Sequence, residues 1–166
     1  MLKLSFAVLT LMVSLFATAV FSQEEQNSPP GTLENQPAQA NPQIQELKDL
    51  AALYNAGEHQ AVIEKAEAFL AKYPLTNDNM GVLFYQAASH YKLGQIDGAI
   101  SAYQKTVPLI EKLNNIQQHR YAFVFFMLGT SYRQQRRYDN AIEQIESGLR
   151  RDPQNTYYQI LLGELY

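Results

Sequence analysis

Hydrophobic and polar positions along this chain fall into three textures. Leu4 to Phe21 is uncharged over 18 residues, with Ser5, Thr10, Ser14 and Thr18 as its only polar positions. Gln23 to Pro42 is almost wholly polar, rich in Gln, Asn, Glu and Pro, with Leu33 as its only large aliphatic residue. From Asn41 onward apolar residues return every three or four positions, the period that gives a helix one buried face. Asn41-Pro42 supplies an N-cap and a proline at the first helical position. Gly57, Tyr73 to Asn77, Gly94, Asn114-Asn115, Arg136-Arg137 and Asp152-Pro153 punctuate the rest. The pattern predicts an all-α fold of about seven amphipathic helices and no strand.

The helical part repeats. Leu128-Gly129 with Tyr132 returns as Leu162-Gly163 with Tyr166, displaced by 34 positions. A period of that length marks a solenoid of helical hairpins, each stacking on the next to bury its apolar face. The best-formed unit runs from Ala122 to Asn155. Phe125, Leu128, Gly129 and Tyr132 share one face of its first helix, and Tyr138, Ala141 and Ile145 begin the inward face of the second. Pro153 closes the unit. The small residues Gly129 and Ala141 let the two helices approach closely.

These residues resemble the tetratricopeptide repeat, with Leu-Gly and Tyr on the first helix, Ala on the second and Pro at the exit. Phe125 stands where that family usually has tryptophan, and Gly148 where it has a second alanine. Residues 80–113 carry Leu83, Ala87, Tyr91, Gly94, Ala99 and Tyr103 in the same rhythm. There Gln86 replaces the leucine, His90 replaces the tyrosine, and Pro108 sits where it should kink the second helix. Ala99 and Ala141 are 42 positions apart, so about eight extra residues lengthen that helix or its loop. Residues 43–76 form a divergent first unit through Leu50, Leu53, Gly57, Val62, Ala66, Phe69 and Pro74. Residues 156–166 begin a fourth. The resemblance implies a right-handed superhelix of antiparallel hairpins over residues 42–166, with about three and a half repeats.

The N-terminal texture reads as an export signal. Met1-Leu2-Lys3 gives a short positive start, and Ala17-Thr18-Ala19 or Val20-Phe21-Ser22 offers a small-residue exit before Gln23-Glu24-Glu25. Cleavage after Ser22 is favoured, with an uncleaved membrane anchor over residues 4–21 as the alternative. Residues 23–41 then form a disordered tether, because they carry too little apolar surface to offset chain entropy. The expected location is periplasmic or secreted, or held to a membrane by the first segment.

Composition narrows the chemistry. A net charge of −3 argues against general nucleic-acid binding, which needs a basic face. There is no cysteine, hence no thiolate nucleophile, thiolate metal site or disulfide. His59, His90 and His119 are too widely spaced for a metal pair, and no cofactor motif is present. Ser89-His90-Tyr91-Lys92 spells a Ser-x-x-Lys without its companion motifs. Asn77-Asp78-Asn79 reads as a helix cap rather than a calcium loop. Arg133, Arg136, Arg137, Arg150 and Arg151 read mainly as solvated helix ends, Arg150 and Arg151 facing a C-terminal dipole.

Superposing the units places Leu47, Tyr54, Phe84, Tyr91, Lys92, Phe123, Phe126, Arg133, Tyr157 and Ile160 on the concave face. An aromatic groove edged by Lys92 and Arg133 would suit a partner segment with apolar anchors and some acidity. The competing role for the same rings is to fill gaps between stacked helices. Where the family clamps a terminal carboxylate with cations, this chain has Phe84, Ala88, Phe123, Phe126 and Thr130, which argues against such a clamp. The fourth unit leaves Leu162, Leu165 and Tyr166 without a second helix, which marks a fragment, an association face or an imperfect cap.

The expected function is therefore an exported, non-catalytic scaffold that binds a partner protein or peptide, with no nucleic acid and no cofactor. Two alternatives stand beside it. One is an accessory module of a longer envelope protein or enzyme; the other is a structural subunit self-associating through the C-terminal helix.

Overall fold

The structure, a computed structural model, describes residues 41–166. The expected leader and all but the last residue of the expected tether lie outside the described residues. The chain divides between Glu46 and Leu47, and Leu47–Tyr166 holds the fold that follows.

Helices account for nearly all the described residues, and no strand occurs among them. They are α1 (Pro42–Asn55), α2 (His59–Lys72), α3 (Gly81–Lys92), α4 (Ile96–Ile110), α5 (Asn115–Arg120), α6 (Ala122–Gln134), α7 (Tyr138–Arg151) and α8 (Thr156–Gly163). The all-α expectation holds. Asn41 caps α1 as expected, its Oδ1 accepting the Gln43 N–H at 3.0 Å.

The repeat is visible in the turns as well as in the helices. Gly57, Gly94 and Arg136 occupy equivalent positions after α1, α3 and α6, with φ of 80°, 73° and 59°. Each left-handed residue donates back three positions, and the next N–H donates back five: Glu58 to Leu53, Gln95 to His90 and Arg137 to Tyr132, at 3.0, 2.9 and 3.0 Å. This is the hydrogen-bond pattern that ends a helix and reverses the chain in the fewest residues. Glycine suits it because no Cβ opposes a positive φ. Arg136 adopts it without that freedom.

Two local expectations are corrected. The extra residues between the second and third units fold as a separate helix, α5, giving eight described helices rather than about seven. Asn114 caps α5 in a reciprocal box with Gln117, and His119 Nδ1 lies 2.9 Å from the Arg151 carbonyl oxygen at the end of α7. The insertion thus packs onto the third unit. Asn79, expected to cap α3, instead braces the preceding turn. Its Oδ1 accepts the Thr76 N–H at 2.8 Å and its Nδ2 donates to the Pro74 carbonyl at 3.0 Å. Pro108 lies inside α4, which ends two residues later at Ile110.

Successive helices pack in order, α2 on α3, α3 on α4, α4 on α6, α6 on α7 and α7 on α8. The core follows that sequence, through Phe69, Leu83, Tyr103, Phe125, Leu128 and Ile145, all essentially sealed from solvent. Helix α6 is buried from Ala122 to Tyr132, as befits a helix with neighbours on every side. Its closest neighbour is α7, and the small-residue expectation explains why. A Cβ on Gly129 would lie 2.6 Å from Ile145 Cδ1 and 3.1 Å from the Ala141 carbonyl oxygen. Among the described residues, no helix is long and apolar enough to cross a membrane.

Candidate partner-binding face

The first helices of the four units are α1, α3, α6 and α8, and aromatic residues link each to the next. Tyr54 on α1 meets Tyr85 on α3 with ring centroids 5.7 Å apart. Phe84 on α3 meets Phe123 on α6 edge-on at 5.5 Å, and Tyr121 at 5.8 Å. Phe126 on α6 meets Tyr157 and Tyr158 of α8 at 5.0 and 5.1 Å, the latter ring nearly parallel to it. Such offset and edge-on pairs add to the stabilisation that burial alone provides. Tyr54, Phe84, Phe123 and Phe126 are buried. Tyr91, Lys92, Arg133 and Tyr157 are half-buried, and Ile160 is exposed. The rings therefore join the units, while the partly open positions form the edge.

That edge is polar and largely hydrogen-bonded. Arg133 Nη1 donates to Glu164 Oε2 at 2.9 Å, so α8 neutralises one of the two cations expected at the rim. Gln134 Nε2 donates to the Tyr91 hydroxyl at 2.6 Å, tying α6 to α3. Burial lowers the proton affinity of the Lys92 amine. His59 Nδ1 lies 3.5 Å from Ser89 Oγ, and its proton affinity falls through burial first and the Lys92 charge second. Ser89 is fully buried, so the Ser-x-x-Lys sequence offers no accessible nucleophile. Tyr54 is buried beside this group, with its hydroxyl unpartnered among the described residues. Burial, then the neighbouring Tyr85, pushes its pKa up to about 12. No group of three or more metal-ligating side chains occurs among the described residues.

The middle of this array is similar to a known family. Residues 80–154 match the family model of the tetratricopeptide repeat. A search of curated proteins gives no match. The matched stretch covers α3 to α7, and helical repeats of this kind present extended binding surfaces to other proteins.

Within the matched stretch, Gln104 Nε2 donates to the Tyr132 hydroxyl at 2.7 Å, joining the second unit to the third. The arginines expected at solvated ends divide. Arg137 lies over the Tyr132 ring at 4.5 Å and Arg151 over Phe125 at 4.0 Å, each covering a core ring from outside. Arg150 donates to Ser147 Oγ at 2.6 Å within its own last turn. Beyond the matched stretch, Leu162 and Leu165 are half-buried and Tyr166 is 83 % exposed, its hydroxyl donating to Glu146 at 3.2 Å. Sequence reasoning missed Glu164, Gln134, Gln104 and His59 as partners. Arg133 and Glu164 are 31 positions apart, three short of the period, so superposed units would have brought them together.

Proposed function

We propose that this chain is an exported scaffold that binds a segment of another protein along its first helices and performs no chemistry itself. The observation that carries the reading is the aromatic series linking α1, α3, α6 and α8, with partly open tyrosines and a cation at its edge. The half-buried Tyr91 and Tyr157, held against that buried series, offer aromatic contact area at little entropic cost, the property that concentrates binding energy at protein interfaces. Lys92 and Arg133, the latter paired with Glu164, place two basic side chains at this edge. A partner with apolar anchors and an acidic residue fits this edge. The leader-like Met1–Ser22 supports export, to the periplasm in a bacterium, with Gln23–Asn41 as a spacer.

The test is crosslinking from a photoreactive residue at position 91 or 157 in the producing cell, followed by binding of the purified partner. Tyr91→Ala and Lys92→Glu should each weaken that binding in variants that keep the helical content of the parent. Undiminished binding by both folded variants would refute the inner-face reading.

A further inference from the structure

The joint between the first and second units differs in kind from the joint that follows it. His59 opens α2 at the position where Ile96 opens α4 and Tyr138 opens α7. From there it reaches α3, where its Nδ1 lies 3.5 Å from Ser89 Oγ. Ser89 and its equivalent on α6, Ser131, are both fully buried. Ser131 donates to the Met127 carbonyl of its own helix at 2.8 Å, whereas Ser89 turns across the joint to the imidazole. The second joint is tied by amides instead. Gln104 donates to the Tyr132 hydroxyl, Gln134 to the Tyr91 hydroxyl and Gln135 to Asp97, at 2.7, 2.6 and 2.6 Å.

The surroundings of His59 disfavour a charge on its ring. Tyr54 of α1 lies edge-on to it at 5.2 Å, and Tyr85 of α3 packs on Tyr54 at 5.7 Å. Burial first, and the like charge of Lys92 on α3 second, lower its proton affinity. On α2 itself, the unpaired N–H groups of the first turn repel a cation. Glu58 precedes it in sequence and is exposed. The Tyr54 hydroxyl is buried at the same joint with no partner among the described residues, so the closed joint already carries a polar deficit. Lys65 and Asp49 pair at 2.9 Å, holding α2 to α1 as one hairpin. Units of such an array contact only their neighbours, so one joint opens without unfolding the rest.

We propose that this joint is an acid-sensitive hinge, in which protonation of His59 releases the α1–α2 hairpin from α3 while α3 to α7 stay packed. Opening lets water reach the ring and takes it away from Lys92, so the open joint binds the proton more readily. Falling pH therefore favours opening. Tyr54 leaves with the hairpin, which shortens the inner face by one unit. The hinge needs no partner, so it and the scaffold reading can each fail without the other.

Hydrogen exchange of the full chain, read by mass spectrometry and corrected for the intrinsic pH dependence of exchange, tests the hinge. Between about pH 7.5 and pH 5, opening of residues 47–72 should rise relative to that of residues 122–151. His59→Gln should remove that rise. A rise shared equally by all helices overturns the proposal, as does no rise, or one retained in His59→Gln. Should His59→Gln loosen the hairpin at both pH values, NMR titration of the His59 ring in the parent decides. A midpoint that coincides with the change in exchange supports the hinge, and a separate midpoint overturns it.

Discussion

Ile145 closes over Gly129 so tightly that an added Cβ would lie 2.6 Å from its Cδ1 and 2.9 Å from its Cγ1. This contact sets how near α7 comes to α6. In an isolated helix Gly→Ala gains about 1 kcal/mol. Here overpacking opposes it by about 1–3 kcal/mol, since the Ala141 carbonyl oxygen, at 3.1 Å, moves only with the α7 backbone. Gly129→Ala should therefore destabilise the fold by about 1 kcal/mol in denaturant titration. Ile145→Val removes the nearest carbon, so the double substitution should be more stable than the sum of the single effects predicts. Strictly additive losses would show that the contact does not govern the approach.

Gly148 reverses the sign. Its added Cβ would meet the Ala122 carbonyl oxygen at 3.4 Å, Phe125 at 3.5 Å and Tyr158 at 3.7 Å, all ordinary contacts. Gly148→Ala should stabilise the chain by about 0.5–1 kcal/mol through helix propensity, seen as a raised denaturation midpoint. A loss in its place would mean that α7 cannot hold even one more methyl against α6.

The architecture was legible because it rests on periodic residues. Leu128, Gly129, Tyr132, Ala141 and Ile145 each report a local packing need, and the 34-residue recurrence reports the stacking. Side-chain partnerships were less legible, because Arg133–Glu164 and Gln134–Tyr91 join different units through long, adaptable side chains. Register grouped the ring positions on the first helices, but register says nothing of depth. Phe84, Phe123 and Phe126 lie buried in ring contacts. The α5 insertion was seen as surplus length only, since its capping box is too short a signal to separate from a loop.

Arg136 holds φ at 59° where the two equivalent turns use glycine. A left-handed conformation costs an L-residue about 1–2 kcal/mol, and glycine gives part of that back as lost chain entropy. Arg136 is exposed, so the substitution removes no core contact. Arg136→Gly should raise stability by about 0.5–1 kcal/mol, measured by thermal or chemical unfolding. An unchanged or lowered midpoint would show that the arginine side chain offsets the backbone strain.

Tyr54 buries a hydroxyl that has no hydrogen-bond partner among the described residues, while its ring packs on Tyr85 and His59. An unsatisfied buried hydroxyl costs about 1–3 kcal/mol of desolvation. Tyr54→Phe keeps the ring contacts and removes that penalty, so it should leave the protein as stable or more stable by about 1 kcal/mol. A clear loss of stability would mean that an ordered water satisfies the hydroxyl.

His59 makes stability depend on pH in one direction. Burial first, and the Lys92 charge second, lower its proton affinity in the folded chain, so the unfolded chain binds that proton more readily. The contribution to stability is present above the ordinary histidine value of about 6.5 and is lost as pH falls below it towards the depressed folded value. The stability advantage of the parent over His59→Gln should accordingly shrink between about pH 7.5 and pH 5, read as melting temperatures in matched buffers. Lys92→Gln should reduce that pH dependence without abolishing it, because burial is the larger cause. If the difference between the parent and His59→Gln stays constant across the range, His59 titrates no differently in the folded and unfolded chains. If Lys92→Gln abolishes the dependence altogether, the charge and not burial is its source.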